Sequence, residues 1–206
     1  MKRFICIVAG LMMAVAAMGQ TAQEIVSRME AEMEAHKHDG IAMTVDVKIP
    51  LLGAMSTQSY VLGEKIRMDA TLMGLTISTW TDGVTQWIYN PKENELEIQK
   101  AKPVSSADSG DAEMFSGITD GYDVTIKKET ADTWYIQCKK SKTNKEKDDP
   151  KSMELTVAKG SYYPKSLSAK LGSVSMTMRD IAFGVTEAQV SCNPADYPNV
   201  KIKDKR

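Results

Sequence analysis

With 206 residues, 26 basic and 27 acidic side chains and a formal net charge of −1, the chain can bury a sizeable core and has no excess positive charge to attract nucleic acid. Three cysteines are too few for a scaffold built on disulfides. Apart from one apolar run at the N-terminus, no segment reaches the roughly twenty apolar residues that a membrane-spanning helix needs.

Residues 1–19 read as a signal peptide. Lys2 and Arg3 precede the uncharged stretch from Phe4 to Ala17, and Ala17, Met18 and Gly19 are small or unbranched residues before an expected cleavage at Gln20. Without Lys2 and Arg3 the balance becomes 24 basic against 27 acidic residues. Cys6 lies inside the apolar run, so no cysteine stands at the cleavage site to take a lipid. Residues 20–206 are expected to form a single soluble, exported domain.

Thr21 to His38 reads as an amphipathic helix. Thr21 and Glu24 fit a capping box, Ile25, Met29 and Met33 recur every fourth residue, and Gly40 ends the pattern. Strands follow. Ile41, Met43, Val45, Val47 and Ile49 alternate with polar residues, Ser56 to Leu62 resumes after a break, and Ile66, Met68, Ala70 and Leu72 alternate with Lys65, Arg67, Asp69 and Thr71.

The stretch from Leu75 to Gln99 predicts three antiparallel strands. Asp82-Gly83 is a strong hairpin signal, and a two-residue loop pairs Thr81 with Val84, Trp80 with Thr85, Ser78 with Trp87 and Thr76 with Tyr89. A turn over Pro91 to Asn94 pairs Asn90 with Glu95, Tyr89 with Leu96 and Trp87 with Ile98. Trp80, Trp87, Tyr89, Leu96 and Ile98 then share one face, read as the inner one, because a one-residue slip would bury the glutamates. Leu75, Ile77 and Ile88 fall on the other, mixed face.

From Ala101 to Gly121 the alternation stops. Met114, Phe115 and Ile118 are spaced to share a face of a short helix, expected over Asp111 to Ile118, and the segment reads as a flap with an apolar underside. Strands resume over Tyr122–Lys128, Thr133–Lys139, Met153–Ala158, Lys165–Leu171 and Val174–Phe183, with a charged hairpin tip over 141–151. The tail, carrying Pro194 and Pro198, is expected to end on a sheet edge. Ten or eleven strands, two helices and no βαβ alternation give an α+β class built on a large antiparallel sheet, which at this length curls.

Ten methionines fall in residues 20–206 against two phenylalanines, Phe115 and Phe183, and such a lining can repack around a flexible guest. Cys138 and Cys192 are free to pair or not; sequence does not fix their distance. His36 and His38, two apart on a helix end, do not share a face and have no further ligand at metal spacing. No nucleophile motif or P-loop occurs, so neither catalysis nor a cofactor or metal is expected.

The signal peptide, the opening TAQEIVSRM, the segment GEKIRMD, the hairpin TDGVTQWIYNPKENELEI and the closing NPADYPNVKIKD together resemble the periplasmic lipoprotein-carrier family, LolA and its relatives. Asp82, Gly83, Thr85, Trp87, Tyr89, Asn90 and Pro91 match that family's hairpin pattern position by position. The resemblance implies an incomplete antiparallel barrel with helices over its concave face. It implies a non-catalytic periplasmic carrier of lipoprotein acyl chains, monomeric, loaded and unloaded by membrane-associated donor and acceptor proteins. The alternative on the same fold is a sensor or protein-interaction module. The expected acyl site is Trp80, Trp87, Tyr89, Leu96, Ile98, Met29 and Met33 under the flap of Met114, Phe115 and Ile118. Carriers of the family have a gating arginine just before this hairpin; Arg67 lies in that region, although its alternation places it opposite Ile66 and Met68.

Overall fold

The computed structural model describes residues 20–51, 53–101 and 115–206. The signal peptide read over residues 1–19, and Met114 with most of the expected flap, lie outside the described residues. Thr21 opens the first helix: its hydroxyl accepts the backbone N–H of Glu24 at 3.2 Å, and the Glu24 carboxylate accepts the N–H of Thr21 at 2.8 Å. This helix, α1 (Ala22–Ala35), buries Ile25, Val26, Met29 and Met33 along one stripe. It stops before the expected His38 because His36 turns away, its Nδ1 2.6 Å from Asp39 and its Nε2 2.7 Å from the Tyr163 hydroxyl.

The strands are β1 (Ile41–Ile49), β2 (Gly53–Leu62), β3 (Lys65–Leu72), β4 (Leu75–Thr81), β5 (Thr85–Asn90), β6 (Glu95–Lys100), β7 (Tyr122–Glu129), β8 (Thr133–Lys140), β9 (Ser152–Ala158), β10 (Pro164–Leu171), β11 (Val174–Phe183) and β12 (Lys201–Asp204). They form one sheet of twelve strands in the order β12-β6-β5-β4-β3-β2-β1-β11-β10-β9-β8-β7. All neighbours are antiparallel except β12 on β6, which is parallel. The tail thus ends on an edge as expected, and β12 carries the total past ten or eleven. Because β7 and β12 do not meet, the sheet is an open, incomplete barrel with α1 on its concave side, an α+β fold.

The Asp82 hairpin differs from expectation. Thr81 pairs with Gln86, Trp80 with Trp87 and Ser78 with Tyr89, so the loop has four residues, not two. A side chain replaces the tight turn: the Asp82 carboxylate accepts the N–H of Val84 at 2.9 Å and of Thr85 at 2.6 Å, and only Gly83 adopts positive φ, at 87°. The register moves by two, so no side chain changes face. The β5–β6 pairing is as expected, with Trp87 opposite Ile98 and Tyr89 opposite Leu96.

Paired residues project to the same side, so register assigns every strand residue to a face. One row of the α1 side runs Ile136, Leu155, Leu167, Met178, Val45, Thr57, Ala70 and Ile77. The row nearer the other end runs Cys138, Met153, Ala169, Met176, Val47, Met55, Leu72 and Leu75. The opposite, outer face is polar over most strands but carries the row Tyr60, Arg67, Trp80, Trp87 and Ile98.

That outer row is covered by the C-terminal segment. After β11 the chain forms the short helix α2 (Glu187–Val190) and a 3₁₀ turn over Pro194–Asp196. It crosses β3 where Glu187 pairs with Lys65, lays Tyr197 against Trp80 and Tyr89 with ring centroids 6.2 and 4.7 Å apart, and reaches the β6 edge, where Asn94 donates to the carbonyl of Asn199. We call it the strap. Cys138 sits on the α1 side and Cys192 in the strap on the outer side, so the sheet separates them and both are free thiols.

Candidate functional site: the concave face under the first helix

The concave face has a closed half and an open half. Over β7–β11, α1 and Phe115 press on Trp134, Ile136, Cys138, Met153, Leu155, Val157, Leu167 and Met178, all buried in one cluster. Ile25, Met29, Met33 and Phe115 are almost wholly excluded from solvent. Beyond the helix the same face continues over β11 and β1–β4 as Val45, Val47, Met55, Met68, Ala70, Leu72, Ile77 and Met176, none fully buried; Met55 and Leu72 are 38% and 48% exposed. Apolar floor therefore runs from under the helix into partly open ground.

Polar ties hold α1 to the sheet from two sides. Arg28 donates to the Tyr162 hydroxyl at 2.9 Å with its guanidinium 5.1 Å from the ring centre, Gln20 donates to the same hydroxyl at 2.8 Å, and His36 meets Tyr163. On the other side Glu30 accepts the backbone N–H of Gly117 and lies near Asp120. Partial burial, then the Asp120 charge, raises the pKa of Glu30 above the usual carboxylate value. Both ring nitrogens of His36 are thus engaged, and the ring stacks on Phe183 at 5.1 Å.

The residues expected to line the acyl site divide between the two faces. Met29 and Met33 lie in the concave cluster with Phe115, and Ile118 packs against it. Phe115 is in 3₁₀ conformation and residues 116–121 form turns; the first half of the helix expected over Asp111 to Ile118 lies outside the described residues. Trp80, Trp87, Tyr89, Leu96 and Ile98 share one face as read, but it is the outer one, under the strap; they do not join Met29 and Met33. Arg67 lies there too: it pairs with Asp69 at 2.9 Å and its guanidinium sits 5.4 Å from the Trp80 ring centre and 5.7 Å from Tyr60. It therefore does not gate the concave face. The concave residues left out of the expected site are Met43, Val45, Met68, Ala70, Ile77, Ile88, Met176 and Met178. Their signal is the alternation of β1 and β3 and, for Ile77 and Ile88, the mixed face of the hairpin that also carries Leu75.

Burial raises both cysteine thiols to about 11, so neither is a thiolate nucleophile near neutral pH. Among the described residues no helix is long and apolar enough to cross a membrane.

No family model matches the chain, and no curated protein matches it in sequence. Solved structures to which it is similar include an uncharacterized conserved protein of Thermus thermophilus, at 17% identity over 89% of this chain and 99% of that one, with a TM-score of 0.45. A LolA superfamily protein of Nitrosomonas europaea is 10% identical over 86% of this chain and 100% of that one, with a TM-score of 0.35. The Mycobacterium tuberculosis lipoprotein LppX is 15% identical over 79% of this chain and 96% of that one, with a TM-score of 0.49.

Proposed function

We propose that this protein is a non-catalytic periplasmic carrier that shelters the acyl chains of a lipoprotein, or a related lipid, on its concave face. The observation that carries the reading is the open half of that face: Val45, Val47, Met55, Met68, Ala70, Leu72, Ile77 and Met176 form a mainly apolar floor, interrupted by Thr57 and Ser59, that leads under α1. Each buried methylene contributes about 0.8 kcal/mol, so ~10 methylenes supply on the order of 8 kcal/mol before the costs of association and of shifting α1. Methionine suits such a floor because its unbranched side chain refits to a guest without a fixed shape. The resemblance to the lipoprotein carriers supports the same reading, with export by the signal peptide of residues 1–19 and action as a monomer that meets membrane-associated donors and acceptors.

A sensor or protein-interaction module would most simply use the free edge strand β7. That edge carries Lys127, Lys128 and a bulge between Ile126 and Lys128, the devices that discourage strand addition, so the carrier reading is preferred. The test is binding of a fluorescent fatty-acyl probe to the purified protein. Met68→Asp and Ile77→Asp, which put a charge on the floor, are expected to weaken binding at least about tenfold, the loss of two or more buried methylenes. Unchanged binding in both would remove the concave face from the reading.

A further inference from the structure

The sheet end that carries the β1–β2, β3–β4, β5–β6, β8–β9 and β10–β11 connections combines bare apolar tips with unpaired lysines; the β5–β6 turn there adds one exposed lysine and one exposed acid, Lys92 and Glu93. Leu51 in the β1–β2 connection is fully exposed and Met73 in the β3–β4 turn is 92% exposed. Both adopt positive φ, 69° and 52°, a conformation that glycine takes without steric cost and that large side chains seldom take. Large apolar side chains thus stand where they gain no packing and where glycine would be easier. Between the two tips lie the half-exposed Met55 and Leu72, the mouth of the concave floor.

The charges around the tips are mainly positive. Lys170 and Lys48 flank Ser175 in one cross-strand row on the outer face, about 10 Å apart by strand spacing. Beside them a cleft of about 590 Å³ is lined by Lys140, Lys147, Lys151 and Lys170, with Asp148 and Asp149 as the only acids. The ammonium groups of Lys48, Lys147, Lys151 and Lys170 make no ion pair among the described residues. Adjacent apolar tips flanked on the β11–β8 side by free lysines match the two layers of an anionic bilayer surface: acyl chains for Leu51 and Met73, phosphate headgroups for the lysines.

We propose that this end of the sheet docks on an anionic phospholipid bilayer, inserting Leu51 and Met73 below the headgroups. Docking there would hold the groove mouth at Met55 and Leu72 against the membrane, so an acyl chain could pass between bilayer and concave face without crossing water. The docking surface stands independently of the carrier reading; this use of it rests on that reading.

The test is flotation of the full mature chain with vesicles of phosphatidylglycerol and phosphatidylethanolamine in equal parts, and with vesicles of phosphatidylcholine alone. The wild type floats with the anionic vesicles and much less with the neutral ones or in high salt. Replacing both tips, Leu51→Gly with Met73→Gly, relieves the backbone and so keeps the fold, and lowers vesicle binding roughly tenfold or more through lost insertion. Lys48→Glu with Lys170→Glu abolishes the preference for anionic lipid. Binding of the soluble acyl probe without vesicles stays unchanged in the tip variant, which separates loss of docking from loss of the groove. Failure of the wild type to float, or equal flotation of the tip variant, overturns the proposal. So does a dimer, seen by sedimentation, that the tip variant loses while lipid binding is absent, because the tips would then contact a second copy.

Discussion

Glu30 is partly buried and faces Asp120, so its ionised form is disfavoured by burial and then by a like charge, which together outweigh the Gly117 N–H that it accepts. A raised folded-state pKa means that the group favours the fold below the ordinary carboxylate value, and that this contribution is lost as pH rises through the folded-state value. Glu30→Gln keeps an acceptor for Gly117 without the charge. It should be more stable than the wild type at pH 7 and equal to it at pH 4, and an unchanged difference across that range in urea unfolding would contradict the assignment. Trp80 tests the outer face. Its ring is buried between Arg67 and Tyr197, so Trp80→Ala should lower stability by about 3–5 kcal/mol, the usual range for such truncations. Probe binding by the folded protein should persist, because the side chain lies across the sheet from the concave floor; loss of probe binding without loss of stability would place the site on the wrong face.

At the scale of elements, α1 is held by hydroxyls that donate or accept at Gln20, Arg28 and His36. Tyr162→Phe combined with Tyr163→Phe removes those ties and leaves both rings in place. The expected result is faster amide exchange in α1 than in β8–β10 and several-fold faster uptake of an acyl probe, since each lost hydrogen bond contributes about 1 kcal/mol to closure. Uptake at the wild-type rate would mean that the helix does not move. The strap is the element that sequence could not place. The β5–β6 register, the capping box and the alternation of β1 and β3 were legible because local geometry dictates them: a four-residue turn, a reciprocal cap, a period of two. Which face of the sheet took the helix was not legible, because both faces are covered. Trp80, Trp87 and Tyr89 look like a cavity lining by composition, and only the distant Tyr197 reveals that they form the seat of a tail. The Asp82 hairpin departs from the two-residue turn that Asp-Gly favours for a smaller reason: its carboxylate accepts two backbone N–H groups that a four-residue loop presents.

Taken whole, the molecule is one open sheet with two differently covered sides: an outer face whose aromatic row is sealed by a strap, and a concave face roofed by a helix over only part of its apolar floor. The asymmetry accounts for the methionine-rich composition, since Met29, Met33, Met43, Met68, Met153, Met176 and Met178 all belong to the concave side. These methionines also report on it directly. The decisive measurement is NMR on protein with ¹³C-labelled methionine methyls, titrated with a soluble acylated peptide and read by intermolecular NOEs to the acyl methylenes. NOEs are expected at Met55, Met68 and Met176 and none at the indole N–H groups of Trp80 and Trp87; NOEs at those indoles, or no NOE to any concave methionine at saturating ligand, would contradict acyl binding on the concave face.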